Sequence, residues 1–177
     1  MLQKEEKNLL THALALTLFL ISFILPYWCY ANHNSENFGL FYKLYDGNVY
    51  LNVCNDNMGE SQCALLKSAK VCGILTFIMG SFSIMVPLVY KRAQLKYFYS
   101  FLLNILELIF AIICISFFSN FLKSYLNIND DINFETTVSS KYTYQSGFYL
   151  WILGIIVIGS VGLSSIHSLY VTKKLLP

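Results

Sequence analysis

Four long stretches of this chain carry almost no charge, which restricts what it can fold into more than any other feature. No Asp, Glu, Lys or Arg occurs from Asn8 to Ser35, from Val71 to Tyr90 or from Tyr142 to Thr172, and the run from Tyr97 to Leu122 is broken only by Glu107. About 20 apolar residues rising about 1.5 Å each cross a hydrocarbon core of about 30 Å, so each run is long enough to span a bilayer. The expected spans are 9–27, 71–90, 97–121 and 147–170. Across 177 residues only 12% are charged and 56% are hydrophobic, against about 25% charged in an ordinary soluble domain. Only two sizeable loops remain, at about 28–70 and 122–146. The expectation is therefore one four-span membrane domain over residues 1–177, with no space for a second.

Lys4 and Lys7 ahead of the first run also suit a signal peptide. Phe23-Ile24-Leu25-Pro26-Tyr27-Trp28 is bulky where a cleavage site needs small residues, so the run is expected to be kept as a span. Lys4, Lys7, Lys91, Arg92, Lys96, Lys173 and Lys174 lie on the side of the termini and the second loop, against Lys43, Lys67, Lys70, Lys123 and Lys141 on the other. Seven against five, with the seven in much shorter segments, assigns both termini to the cytosol of a multi-pass plasma-membrane protein. The short connection between the second and third spans makes those helices antiparallel neighbours.

The first outer loop reads as antiparallel sheet. Phe41 to Tyr45 and Val49 to Val53 are rich in aromatic and branched residues, and Asp46-Gly47 between them is a tight-turn dipeptide whose backbone reaches positive φ. Asn55 to Gly59 is a dense turn signal flanked by Cys54 and Cys63. In an oxidising exterior, cysteines bracketing a turn tie adjacent strands together, so a Cys54–Cys63 disulfide is expected in preference to two free thiols. Cys29 and Cys72 fall near the outer boundary and are either free or a second bridge; Cys114 is a small apolar core residue. In the second outer loop, a polar front from Asn127 to Asp131 precedes an alternating stretch from Thr136 to Tyr144. A strand there is expected to join the edge of the hairpin sheet and hide unpaired backbone groups.

Trp28, then Gly39-Leu40-Phe41, then Cys54 and Cys63 with eight residues between them resemble the signature of the claudin, peripheral myelin protein, epithelial membrane protein and lens fibre membrane protein superfamily. The four-span layout, the longer first loop, Ala64 to Val71 and Ser146 to Trp151 are similar as well. The chain departs from the pattern in two places. Phe41 stands where the family has a second Trp, and Cys54 follows it after twelve residues, a longer spacer than the family uses. The resemblance implies a mainly α membrane protein: a left-handed four-helix transmembrane bundle with a small extracellular antiparallel β-sheet. Trp28, Gly39, Leu40 and Phe41 are its family-motif residues. It also implies that Lys67 or Lys70 fixes the first loop to the bundle, the other reading being that both snorkel to lipid phosphates.

Glu107 is the one ionisable residue deep in a span, with Asn104 three residues earlier on the same helical face. Such an acid costs about 2.5–3.5 kcal/mol to insert, so it is expected to face the helices. It is either a sensing or partner-contact site, or a protonated acid bonded to Ser81, Ser83 or Ser160; the structural reading is preferred because one acid alone makes a poor permeation path. His12 and His167 near the cytosolic helix ends are expected to serve headgroup-level hydrogen bonding, since two histidines without a third ligand do not make a metal site. Gly73, Gly80, Ser160, Ser164 and Ser168 form small-residue stripes that let helix backbones approach. Trp151 and the tyrosines near span ends are interfacial anchors.

No histidine-rich box, Cys-x-x-Cys, Gly-rich phosphate loop or metal-spaced acid cluster is present, so no enzyme, cofactor or metal is expected. A net charge of +2 gives nucleic-acid binding no support, and no N-glycosylation sequon occurs. A first outer loop larger than the second disfavours a tetraspanin. Tight-junction members of the superfamily commonly carry a scaffold-binding tail and cytosolic cysteines; the sequence closes on Lys173-Lys174-Leu175-Leu176-Pro177 with no cysteine there, so a scaffolded tight-junction strand is not the expectation. The leading expectation is a non-enzymatic membrane protein that organises cell–cell contact or membrane assemblies through its outer sheet and lateral helix contacts, its partners being lipid and other membrane proteins or copies of itself. The alternative is an auxiliary subunit of a channel or receptor in the same membrane. A paracellular pore, lined by charges such as Asp46, Asp56 and Glu60, is the third reading.

Overall fold

The computed structural model describes residues 2–31, 36–51, 54, 58–90, 93–128 and 142–174. Four helices hold most of the chain: α1 (Leu2–Ile24), α2 (Glu60–Val89), α3 (Ala93–Ile128) and α4 (Ser146–Lys174). Each contains a stretch long and apolar enough to cross a membrane, Glu6–Ile24, Glu60–Pro87, Leu95–Tyr125 and Ser146–Ser168. The helices run past the expected spans at nearly every end, because charged residues such as Lys67, Lys70 and Lys123 end an uncharged run without ending a helix. Only α1 stops more than one residue early, since α2 ends at Val89 against an expected 90. Pro26 disfavours helical backbone at Leu25, so α1 ends at Ile24 and Trp28 lies beyond it rather than on its last turn.

Burial repeats along every helix with alternating steps of three and four. The buried positions include His12, Ala15, Phe19 and Ser22 on α1, and Ala69, Gly73, Thr76, Gly80 and Ser83 on α2. Asn104, Glu107, Ala111, Cys114, Phe118 and Phe121 on α3, and Gly147, Trp151, Gly154, Ile158, Val161 and Ser165 on α4, continue the rule. This is the seam spacing of packed helices. Most outward positions are apolar: Leu14, Ile21, Ile78, Phe82, Leu102, Ile109, Ile156 and Leu163 are all exposed. Buried residues make up only 28% to 39% of each candidate span, so the apolar exterior is extensive. In water such a surface would drive association; in lipid it is the solvated face.

The chain folds as two compact units. The first comprises Met1–Leu20, Ile74–Ile112 and Trp151–Pro177; the second comprises Ile21–Gly73 and Ile113–Leu150. In the first, Phe19 of α1 packs on Trp151 of α4 at 4.7 Å between ring centroids. The Trp151 indole donates to the Ala111 carbonyl of α3 at 3.0 Å, so Trp151 is a core residue with a buried polar partner rather than an interfacial anchor.

The second unit contains one five-stranded antiparallel sheet ordered β4-β3-β2-β1-β5, from β1 (Cys29–Ala31), β2 (Glu36–Phe38), β3 (Tyr42–Tyr45), β4 (Asn48–Leu51) and β5 (Tyr142–Tyr144). The β3–β4 hairpin turns at Asp46 and Gly47, whose φ values of 48° and 73° are the left-handed pair that a two-residue hairpin needs. The expected strand ends at residues 52–53, part of the polar front at 129–131 and most of the alternating stretch, at 136–141, lie outside the described residues. The strand from the second loop does form, but it pairs with β1, opposing Cys29 to Tyr144, so among the described residues no strand covers the hairpin edge. Strands β1 and β2, three residues each, gave too short a pattern to stand out in the sequence.

Candidate functional site

Two clusters collect the residues singled out in the sequence, one in each unit. In the second unit Trp28 is fully buried. Its backbone N–H donates to the Phe38 carbonyl at 2.8 Å, and its own carbonyl accepts from Gln145 at 3.0 Å. Its indole N–H donates to the Ser22 carbonyl at 2.6 Å. In a continuous helix that carbonyl would accept from the amide four residues on, at position 26, but Pro26 has none. The Trp28 indole therefore supplies the missing donor. The Ser22 hydroxyl donates to the Gly147 carbonyl at 2.6 Å, and Gly147 N–H donates to the Tyr27 carbonyl at 2.7 Å. A Cβ on Gly147 would stand 2.6 Å from the indole. Phe118 meets the indole edge-on at 4.9 Å.

Gly39-Leu40-Phe41 forms the tight connection between β2 and β3, where Gly39 N–H donates to the Tyr42 carbonyl at 2.7 Å. Leu40 is fully buried and fills the space over Gly73 of α2. Phe41 packs on Phe23 of α1 at 4.2 Å, and the Lys70 ammonium of α2 lies 5.3 Å from the Phe41 ring centroid. Of the two basic residues near the start of α2, Lys70 is thus the one that engages the first loop, through a cation–π contact.

Cys54 and Cys63 form a disulfide with Cα atoms 5.4 Å apart. Cys63 sits in the first turn of α2, so the bridge ties the chain after β4 to a helix and does not join two strands. Gln62 reinforces that start. Its side chain accepts from Gly59 N–H at 3.2 Å and donates to the Ser124 carbonyl of α3 at 2.9 Å, one half of a capping box extended to a second helix. Cys29, Cys72 and Cys114 are not disulfide-bonded, so the second bridge considered for Cys29 and Cys72 does not form. Burial pushes the Cys29 thiol up to about 12.

In the first unit the polar residues inside the spans converge. Glu107 is fully buried, but it meets none of the serines expected for it. His12 Nε2 of α1 stands 3.1 Å from Glu107 Oε2. That is an ion-pair distance, although neither atom meets hydrogen-bond directionality. Ser83 instead donates to Asn104 Oδ1 at 2.6 Å. The Ser81 and Ser160 hydroxyls bond carbonyls of their own helices, Phe77 and Val157. His12 is buried whereas His167 is exposed, so the two histidines do not share an environment. Gly80 makes the room that the acid occupies: a Cβ there would stand 2.6 Å from Glu107 Oε1. Ser164, in the α4 stripe, donates to Asn8 Oδ1 of α1 at 3.0 Å. The sequence marked Glu107 but not its partner, because His12 lies 95 positions away in the chain and only the three-four burial rule on α1 turns it inward.

A cavity of about 40 Å³ adjoins this cluster, bounded among others by Asn8, His12, Ser83, Lys96, Ser100 and Ser165. Pro87 also borders it and has no N–H, so the Ser83 carbonyl lacks its helical amide donor. Among the described residues no group of three or more His, Cys, Asp or Glu is placed to hold a metal. Compared with models of protein families and with curated proteins, the chain matches none.

Proposed function

We propose that this is a claudin-like integral membrane protein without enzymatic activity, which organises contacts between cells or within one membrane through its sheet. The observation that carries the reading is the state of β4. It forms one edge of the sheet, and Val49, Tyr50 and Leu51 are 61%, 46% and 60% exposed. An edge strand offers a row of unpaired N–H and C=O groups, and proteins usually blunt such edges with charge, Pro or a covering segment. Asn48-Val49-Tyr50-Leu51 carries neither charge nor Pro. A strand or an aromatic-rich surface of a partner fits it by backbone pairing with alternate side-chain contacts.

Support for the superfamily reading comes from the motif residues. Trp28, the Gly39-Leu40-Phe41 turn, Lys70 and the Cys54–Cys63 bridge all lie in the unit that carries the sheet, each with a defined contact. The basic-residue bias supports cytosolic termini and an extracellular sheet at the plasma membrane, and the three-four burial spacing supports a left-handed helix arrangement. A second reading, an auxiliary subunit held laterally by a larger membrane complex, is favoured by α4. Beside exposed Leu163 and Ser160, none of the described residues lies within 4 Å of where a Cβ on Gly159 or Gly162 would be, and small residues of this kind admit a neighbouring helix.

The test is localisation in cells that lack junctions. A contact protein concentrates where two expressing cells touch, and replacing Val49 and Leu51 with Lys disperses it while surface expression is retained. Diffuse distribution together with co-purification of a larger membrane complex selects the auxiliary reading and refutes the first.

A further inference from the structure

The polar cluster of the first unit has no place in contact formation by a sheet. Four side-chain atoms, His12 Nε2, Asn104 Nδ2 and both Glu107 oxygens, are buried without a hydrogen-bond partner. Buried polar groups are nearly always satisfied by protein or water; these four belong to three residues of two apolar spans, and only His12 Nε2 and Glu107 Oε2 face each other, at the 3.1 Å of an ion pair. His12 and Ser83, whose hydroxyl is bonded to Asn104, face the cavity of about 40 Å³. One water needs only about 10–15 Å³ of such space and two to four polar partners. The cavity wall includes Asn8 near the start of α1, Pro87 near the end of α2 and Lys96 near the start of α3, so it lies toward the helix ends that adjoin the N-terminus and the α2–α3 connection.

We propose that His12 and Glu107 form a proton-binding site inside the membrane-spanning part of the protein, which exchanges its proton with water through this cavity. With both ring nitrogens of His12 protonated and no proton on the carboxylate, the pair is charge-separated and neutral overall. Uptake passes through His12, which lines the cavity and stands 3.1 Å from Glu107: the Nε2 proton moves to Glu107 Oε2, and an O–H bond of a hydronium ion in the cavity breaks as an N–H bond forms again on the imidazole, leaving water and a buried imidazolium beside a neutral carboxyl. Among the described residues, no acid lines the cavity to balance that positive charge. On α3 the titratable groups facing the cavity are Lys96 and Tyr97, and α2 and α4 contribute only hydroxyls from Ser83 and Ser165. The uptake is thus a one-proton change in the net charge of the helix core, which couples helix packing to pH on the side where the cavity opens. The inference needs only the transmembrane reading and not the contact role.

The experiment is infrared difference spectroscopy of the full-length protein in lipid nanodiscs between about pH 4 and about pH 9, bracketing the ordinary carboxylate and imidazole ranges. The expected result is a high-frequency carbonyl band of a buried carboxyl that grows as the pH falls, shifts within the dead time after transfer to D₂O, and is absent from Glu107→Gln. In Ser165→Val, which fills the cavity and leaves the pair intact, the D₂O shift slows at least tenfold. A wild-type spectrum with no pH-dependent buried-carboxyl band overturns the proposal without any variant. So does a band that persists in Glu107→Gln, or a D₂O shift equally fast in Ser165→Val.

Discussion

Replacing Trp28 with Phe isolates the substitution of an indole for a missing backbone amide. Phe keeps an aromatic ring near Phe118 but removes the N–H that reaches the Ser22 carbonyl at 2.6 Å. Pro26 offers that carbonyl no alternative donor, and Trp28 is 0% exposed, so water does not replace it. A buried carbonyl left unpaired costs about 1–3 kcal/mol. The smaller ring also leaves about 40 Å³, which at about 24 cal/mol per Å³ adds about 1 kcal/mol. The expected loss is therefore about 2–4 kcal/mol, read as the shift of the SDS-induced unfolding midpoint of micelle-embedded protein, followed by circular dichroism and by fluorescence of the remaining Trp151. A loss below about 0.5 kcal/mol, the range of a surface substitution, would refute the argument that the indole completes α1.

Three further outcomes are expected. Replacing both Cys54 and Cys63 with Ser opens a short loop whose closure is worth about 2.5–3 kcal/mol, so the double variant unfolds at correspondingly lower SDS, and reduction of the wild type reproduces the shift. Because the Cys29 thiol is raised from 9.0 to about 12, the folded state holds its proton after the unfolded state has lost it. That contribution to stability is intact below about pH 9 and is lost as the pH rises toward about 12, and at about pH 8 Cys29 resists iodoacetamide until the protein is denatured, as mass mapping would read. Replacing His12 or Glu107 alone with Leu leaves one buried ionisable group unpaired and costs about 3–5 kcal/mol, whereas replacing both with Leu recovers most of it. A double-mutant cycle on unfolding midpoints measures the coupling.

The helices were legible because an uncharged run of bilayer length permits few alternatives. Their ends were not, since Lys67 and Lys70 lie on α2, which continues to Glu60. The hairpin was legible from Asp46-Gly47, whose turn geometry few other dipeptides adopt. The strands flanking it were not, because β1 and β2 are set by tertiary pairing with Phe38, Tyr144 and the backbone of Trp28 rather than by a pattern of their own. The disulfide was foreseen with the wrong function, because the turn residues before Cys63 hide the fact that a helix begins at Glu60. In the helical unit, Asn104 and Glu107 were visible as anomalies in an apolar run. Their partners, Ser83 and His12, come from other helices, and no local signal connects them.

The ladders of the sheet differ in strength along its width. β3 and β4 align at four positions and β1 with β2 at three, but β2 and β3 at only two, beside the Gly39–Tyr42 hydrogen bond at their connection. Tension applied to the outermost strand by an attached neighbour would thus tear first between β2 and β3, peeling the hairpin away like a flap. The cystine behind β4 then acts as a leash. It limits the flap's travel and diverts the load into the first turn of α2, so the exposed edge remains fastened after its weakest seam has given way.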